Sequence, residues 1–151
     1  MSRGGAITAQ QALLAAGIDP DEVRRALPNI DPARTRITPA SRAYRRLWAK
    51  GIVAVTAPWG ISVVPEVFAS LTDPDPDPDK ARRHGTLIVH ELAHLDQYRR
   101  IGALRHIARY TGDYLSARWH GRNHWDAYRD IRLEVEARAV AARFAPGRQS
   151  P

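Results

Sequence analysis

Thr86-Leu87-Ile88-Val89-His90-Glu91-Leu92-Ala93-His94-Leu95 is the stretch on which the reading of this chain turns. Apolar residues flank two histidines and a glutamate with no Gly or Pro between them. The spacing predicts a helix from Arg82 to Ile101, stopped by Gly102. Helical residues four positions apart share a face, one turn apart. His90 and His94 can therefore offer two imidazole nitrogens to one ion, while Glu91 sits ~100° round the helix from His90. Two imidazoles and a carboxylate are costly to bury in an apolar helix without a partner, and a metal ion satisfies all three. With one further protein ligand, zinc keeps a position open for a water whose pKa it lowers to about 7.

The third ligand is sought downstream. Leu133-Glu134-Val135-Glu136-Ala137-Arg138 opens a helix expected over Arg132 to Phe144. Its buried face is read as Leu133, Ala137, Val140 and Phe144. Glu134 and Glu136 flank that face on opposite sides by similar angles, so periodicity leaves both open as the ligand. A third histidine on the first helix is excluded: Gln97 and Arg100 stand where a glycine and that histidine would be.

His90 to Arg100 together with Leu133 to Arg138 resembles the glutamate-zincin (gluzincin) metallopeptidases and small single-domain bacterial zincin-like proteins. The resemblance covers roughly residues 82–144 and is specific at the metal site. In the HtpX-type branch the third ligand is the first Glu of an E-x-x-A-D stretch. That implies Zn²⁺ held by His90, His94 and Glu134, with Ala137 matching and Glu136 as the alternative ligand. Arg138 replaces the Asp, so the carboxylate that orients a zinc-binding histidine has to come from elsewhere, with Asp96 and Asp130 as candidates. The resemblance further implies a peptide or protein substrate and Glu91 as general base. The tetrahedral oxyanion needs a further donor, for which Tyr128, Tyr114, His124 and His120 are candidates. The hairpin near Trp59 resembles the zincin edge strand that pairs with extended substrate.

Outward from these motifs, Thr8 caps a helix over Ala9 to Ala16, and Asp19-Pro20 starts another through Leu27. Asp31-Pro32 and Thr38-Pro39 read as two more starts. The second leads into Ser41 to Lys50, with Ala43, Leu47, Tyr44 and Trp48 as its buried stripe. Ile52 to Thr56 and Ile61 to Val64, joined by Ala57-Pro58-Trp59-Gly60, read as a β-hairpin. The alternating acids and prolines of Asp73 to Asp79 read as an extended exposed loop, since they lack the glycine and terminal glutamate of a calcium-binding EF-hand. A helix over Ala103 to about Arg118, bent near Gly112, follows the motif helix. His84 reads as a surface residue, His106 carries no evident role, and Trp119 and Trp125 read as core or loop anchors.

The fold class expected is α+β: a single, mostly helical zincin-like domain over residues 1–151. Residues 1–80 supply helices, hairpin and loop, residues 81–146 the metal-binding helices, and 147–151 a loose tail. At 151 residues and 44% hydrophobic composition the chain has material for one core. It has no cysteine, which excludes disulfide scaffolds, thiolate metal sites and cysteine nucleophiles. No apolar run of transmembrane length and no leader pattern is read, so the expected location is cytoplasmic with no membrane partner. The net charge of +7 comes from scattered arginines, with no dense basic tract or nucleic-acid-binding signature, so nucleic acid is not the expected partner. The expected function is a zinc-dependent metallopeptidase. The alternative is a non-catalytic zinc-binding module in a larger assembly or regulatory system.

Overall fold

Thr8 nucleates the N-terminal element of the computed structural model, which describes residues 5–147 and so leaves all but Gly147 of the expected tail outside. The Thr8 hydroxyl accepts the Gln11 N–H at 3.1 Å and the Gln11 side chain accepts the Thr8 N–H at 2.9 Å. This reciprocal box starts α1 (Ala9–Ala15). Asp19 caps α2 (Pro20–Ala26), whose first turn carries Asp21 and Glu22 at the positive end of the helix dipole.

Three expectations for the first half are corrected. Asp31-Pro32 starts no helix: the Asp31 side chain accepts the Ala33 N–H at 3.0 Å and folds the segment into a local turn. The Ser41–Lys50 helix shrinks to α3 (Arg42–Arg45), which buries no residue. Leu47 is 81% exposed, and Trp48 lies edge-on to an exposed Tyr44. So short a helix depends on tertiary packing, and its apolar side chains find none. Third, the hairpin of β3 (Ala54–Ala57) and β4 (Gly60–Val63) does not stand alone. β4 also pairs in parallel with β2 (Arg36–Pro39), and β2 pairs antiparallel with β1 (Ile7–Thr8), giving the order β1-β2-β4-β3. β1 is too short, and β2 too close to Pro39, to show strand periodicity in sequence.

Pro65 opens an unexpected α4 (Pro65–Leu71), since proline is pre-organised for a first helical position. Asp77 then caps α5 (Pro78–Ile101), so the motif helix starts four residues before the expected Arg82 and takes its cap from the Asp/Pro run. α5 is the spine of the molecule. On one side it meets α1, where a Cβ at Gly85 would lie 2.3 Å from the Ala16 methyl, so only glycine permits this approach. Arg82 ties the same end to the Gly17 and Phe144 carbonyls at 2.5 and 2.9 Å. α6 (Ala103–Trp119) runs unbroken through Gly112, and α7 (His124–Arg129) leads into α8 (Arg132–Ala142), which packs along α5. Ile88, Leu92, Ala137, Ala141 and Phe144 join Ile37, Ile61 and Val63 of the sheet in one buried cluster. The class is α+β, with eight helices and one mixed sheet among the described residues. None of these helices is long and apolar enough to cross a membrane.

Candidate metal centre

The motif helix and the last helix bring three side chains to one point. His90 and His94, one turn apart on α5, set their rings edge to face at 4.8 Å, with the two Nε2 atoms 3.1 Å apart. Glu134, in the first turn of α8, places Oε1 at 3.3 Å from His94 Nε2 and Oε2 at 3.2 Å from His90 Nε2. Among the described residues this is the one His/Asp/Glu group whose donor atoms all converge, within 4.8 Å of one another. Glu134 is 3% exposed, and its Oε2 is buried with no hydrogen-bond partner; the nearest charged or titratable groups are His90 Nε2 at 3.2 Å and the Arg138 guanidinium at 4.0 Å. Two imidazole nitrogens and an unpartnered carboxylate oxygen facing one another form a donor set that one divalent cation satisfies.

The electrostatics agree with that geometry. Burial alone raises the Glu134 carboxyl, but the facing His90 and His94 outweigh it and hold the group far below the usual carboxylate range. Burial lowers the His94 imidazole, and the facing Glu134 carboxylate overrides it, so the net shift is upward. The Tyr110 hydroxyl donates to Glu134 Oε1 at 3.3 Å and fixes the carboxylate from the α6 side.

Glu136, two residues on, points elsewhere. Its carboxylate accepts from Arg100 at 2.7 and 3.0 Å and from Gln97 at 3.3 Å, and it takes no part in the cluster. Glu91 is buried but stands outside the converging trio. Its Oε2 accepts the Thr56 hydroxyl at 2.6 Å, and that hydroxyl also lies 3.2 Å from the Glu91 carbonyl. Thr56 belongs to β3, an edge strand of the sheet, so the strand beside Trp59 lies against the motif helix.

The remaining candidates divide. Tyr128 packs edge-on to Tyr110 at 6.4 Å. Burial first, and the Glu134 charge second, raise the Tyr128 phenol, so it keeps its proton at neutral pH. Tyr114 is paired with His124 at 2.9 Å, and the His120 ring nitrogen bonds the Ser116 carbonyl at 2.7 Å, so all three are engaged outside the cluster. Neither candidate carboxylate orients a cluster histidine. Asp96 accepts from the Asn29 N–H and side chain at 2.9 and 3.1 Å, and Asp130 pairs with Arg122 at 3.2 Å. The partner of His94 Nδ1 is instead the Gln97 side-chain oxygen at 3.0 Å. His106, for which no role was expected, is buried and shares that oxygen at 3.2 Å. His84 is half-buried, with a ring nitrogen that has no partner among the described residues. Trp119 is no core anchor at 89% exposure, and Trp125 lies exposed against His124 and Tyr128.

Sequence reasoning missed four contributors: Thr56, Gln97, His106 and Tyr110. Gln97 carried a signal, since it lies three residues after His94 on the same helical face. Thr56 and Tyr110 carried none, because no local pattern places residue 56 beside 91 or 110 beside 134. No protein-family model, curated protein or solved structure matches this chain.

Proposed function

We propose that this chain is a zinc-dependent metallopeptidase, with His90, His94 and Glu134 as ligands and Glu91 as general base. The observation that carries the reading is a buried carboxylate, Glu91, beside a three-donor cluster yet outside it, with one oxygen engaged by Thr56. A structural zinc site takes four protein ligands and has no use for such a base. The trio is close enough for one small ion to draw together: the two imidazole nitrogens lie 3.1 Å apart, and each meets a different oxygen of the Glu134 carboxylate, at 3.2 and 3.3 Å; two imidazoles and a carboxylate are a donor set that zinc takes.

Zinc bound there supplies a Lewis acid for a carbonyl and lowers the pKa of water. The protein does the rest. Thr56 donates to Glu91 Oε2, which leaves Oε1 to take the proton of the attacking water as its oxygen bonds to the scissile carbon. Glu91 then returns that proton to the amide nitrogen as the C–N bond breaks. Tyr110 holds the Glu134 carboxylate in place. Tyr128 retains its proton and is the donor we assign to the developing oxyanion. The β3 edge, which holds Thr56, is the strand we assign to an extended peptide substrate.

The test is metal analysis of the purified protein and of Glu91→Gln, with hydrolysis of a broad peptide library by both. We expect one zinc per chain in each, and a rate lower by ~10²–10⁴-fold in the variant. Cleavage unchanged by the substitution, or a wild-type protein that takes up no zinc, overturns the reading.

A further inference from the structure

Gln97 is 1% exposed and is the one polar side chain among the largest fully buried ones. A primary amide offers two N–H donors and two acceptor lone pairs, and each left unpaired in a core costs ~1–3 kcal/mol. All four are engaged here. Nε2 donates to the Leu133 carbonyl at 2.9 Å and to Glu136 Oε2 at 3.3 Å. Oε1 faces His94 Nδ1 at 3.0 Å and His106 Nε2 at 3.2 Å. Reversing the amide would set its oxygen against two acceptor oxygens, so α8 dictates which end points at the histidines. Both ring nitrogens that meet Oε1 must then donate.

From this we infer that Gln97 is a positioning residue that fixes His94 as the Nδ1–H tautomer and turns the Nε2 lone pair to Glu134 and His90. The inference rests on the metal-site part of the proposed function and deepens it. α8 acts twice through adjacent residues: Glu134 joins the cluster, while the Leu133 carbonyl clamps the amide that orients a histidine of the same cluster. Glu136 belongs to this clamp, which explains why its half-exposed carboxylate points away from the trio. His106 takes the second lone pair of Oε1 and, stacked on Tyr98 at 4.2 Å, keeps water from competing for it. A neutral amide thus stands where a carboxylate commonly orients a metal-binding histidine, and it adds no second negative charge beside Glu134.

Two measurements test this. Nitrogen-15 imidazole NMR of the wild-type protein reads the tautomer directly, in the zinc-loaded form and in the metal-free form near pH 9. A slowly exchanging proton on His94 Nδ1 is expected in both. A proton on His94 Nε2, or an interconverting mixture in the metal-free form, overturns the inference, because a merely structural Gln97 would leave the tautomer unfixed. The second measurement is zinc affinity by chelator competition for Gln97→Leu, with folding checked by circular dichroism. A loss of ~10–100-fold is expected. A folded Gln97→Leu that binds zinc as tightly as the wild type also overturns it. A wild type that binds no zinc sinks the metal reading instead, and the metal-free tautomer still decides the role of Gln97. If Gln97→Leu fails to fold, the wild-type spectra decide alone.

Discussion

The two flanks of α5 treat their polar groups in opposite ways. On the α6–α8 flank, Glu134 is 3% exposed, Gln97 1% and His106 4%; both ends of the Gln97 amide, His106 Nε2 and Glu134 Oε1 meet protein partners, and Glu134 Oε2 has none. On the sheet flank, Glu91 meets only Thr56, a half-buried residue on an edge strand. A closed polar network fixes geometry, and the low local dielectric makes each of its bonds count. A single bond from an edge strand holds the Glu91 carboxylate through one oxygen only. Under the function proposed above, the difference separates holding from reacting: the closed flank would keep the ion and the sheet flank would carry the base.

The largest effect belongs to the closed flank. Glu134→Ala removes a donor from the trio, so zinc affinity should fall by more than the ~10–100-fold of a supporting residue. Zinc at a hundred times its Kd should stabilise the wild type by about 2.7 kcal/mol. Thermal unfolding with and without zinc should show that shift in the wild type and none in Glu134→Ala. An equal shift in both would remove Glu134 from the site and dissolve the contrast between the flanks.

Next is the dryness of the closed flank. Burial, with the His94 charge second, pushes the His106 imidazole down from 6.5 to about 4. Its neighbours are Tyr98, His94, Gln97 and Tyr110. Between these two values the unfolded chain binds a proton that the folded protein refuses. The contribution of His106 is therefore intact above pH 6.5 and is lost as the pH falls toward 4. Urea unfolding of metal-free protein should show about 2–3 kcal/mol less acid destabilisation in His106→Phe than in the wild type. Parallel pH slopes in the two proteins would mean that His106 is wet.

A smaller effect is expected on the sheet flank. Thr56→Val deletes the one hydroxyl on Glu91, and a hydrogen bond to a charged group contributes roughly 1.5–3 kcal/mol. Some of that is recovered by water at a half-buried position. We expect about a tenfold fall in kcat, unchanged zinc content, and recovery in Thr56→Ser. Loss of zinc in Thr56→Val would show that the flanks are one unit.

The legibility of the molecule followed the range of its interactions. α5 and α8 could be read because helix periodicity and caps are local, and the pairing of His90 with His94 needs only the helical repeat. The sheet was half legible: β3 and β4 meet through a short turn, whereas β1 and β2 are strands only because distant segments pair with them. Segment 41–50 was misread because capping and periodicity say nothing about whether a neighbour exists to cover Leu47. In the site, Glu134 and Glu136 were equivalent by helical angle. The distinction lies in which one meets Arg100 and which one meets the histidines, and that depends on how α8 docks.

The smallest effect tests that last distinction. Glu136 pairs with Arg100 at 2.7 Å, with both side chains nearly half exposed, and such pairs contribute about 0.2–1 kcal/mol. Glu136→Gln retains an oxygen for Arg100 and for the second Gln97 N–H. The principal anchor of Gln97, the Leu133 carbonyl at 2.9 Å, is backbone and does not change. Stability should therefore fall by less than about 1 kcal/mol, and zinc affinity should stay within about threefold of the wild type. The paired comparison with Glu134→Ala is the informative one. The two residues stand on the same helix turn, carry the same carboxylate and differ only in the side of α8 from which it projects. If chelator competition finds Glu136→Gln as damaging as Glu134→Ala, the ligand assignment is reversed. α8 would then have to rotate about its axis by roughly the angle between the two side chains, taking Ala137 and Ala141 out of the contact with α5.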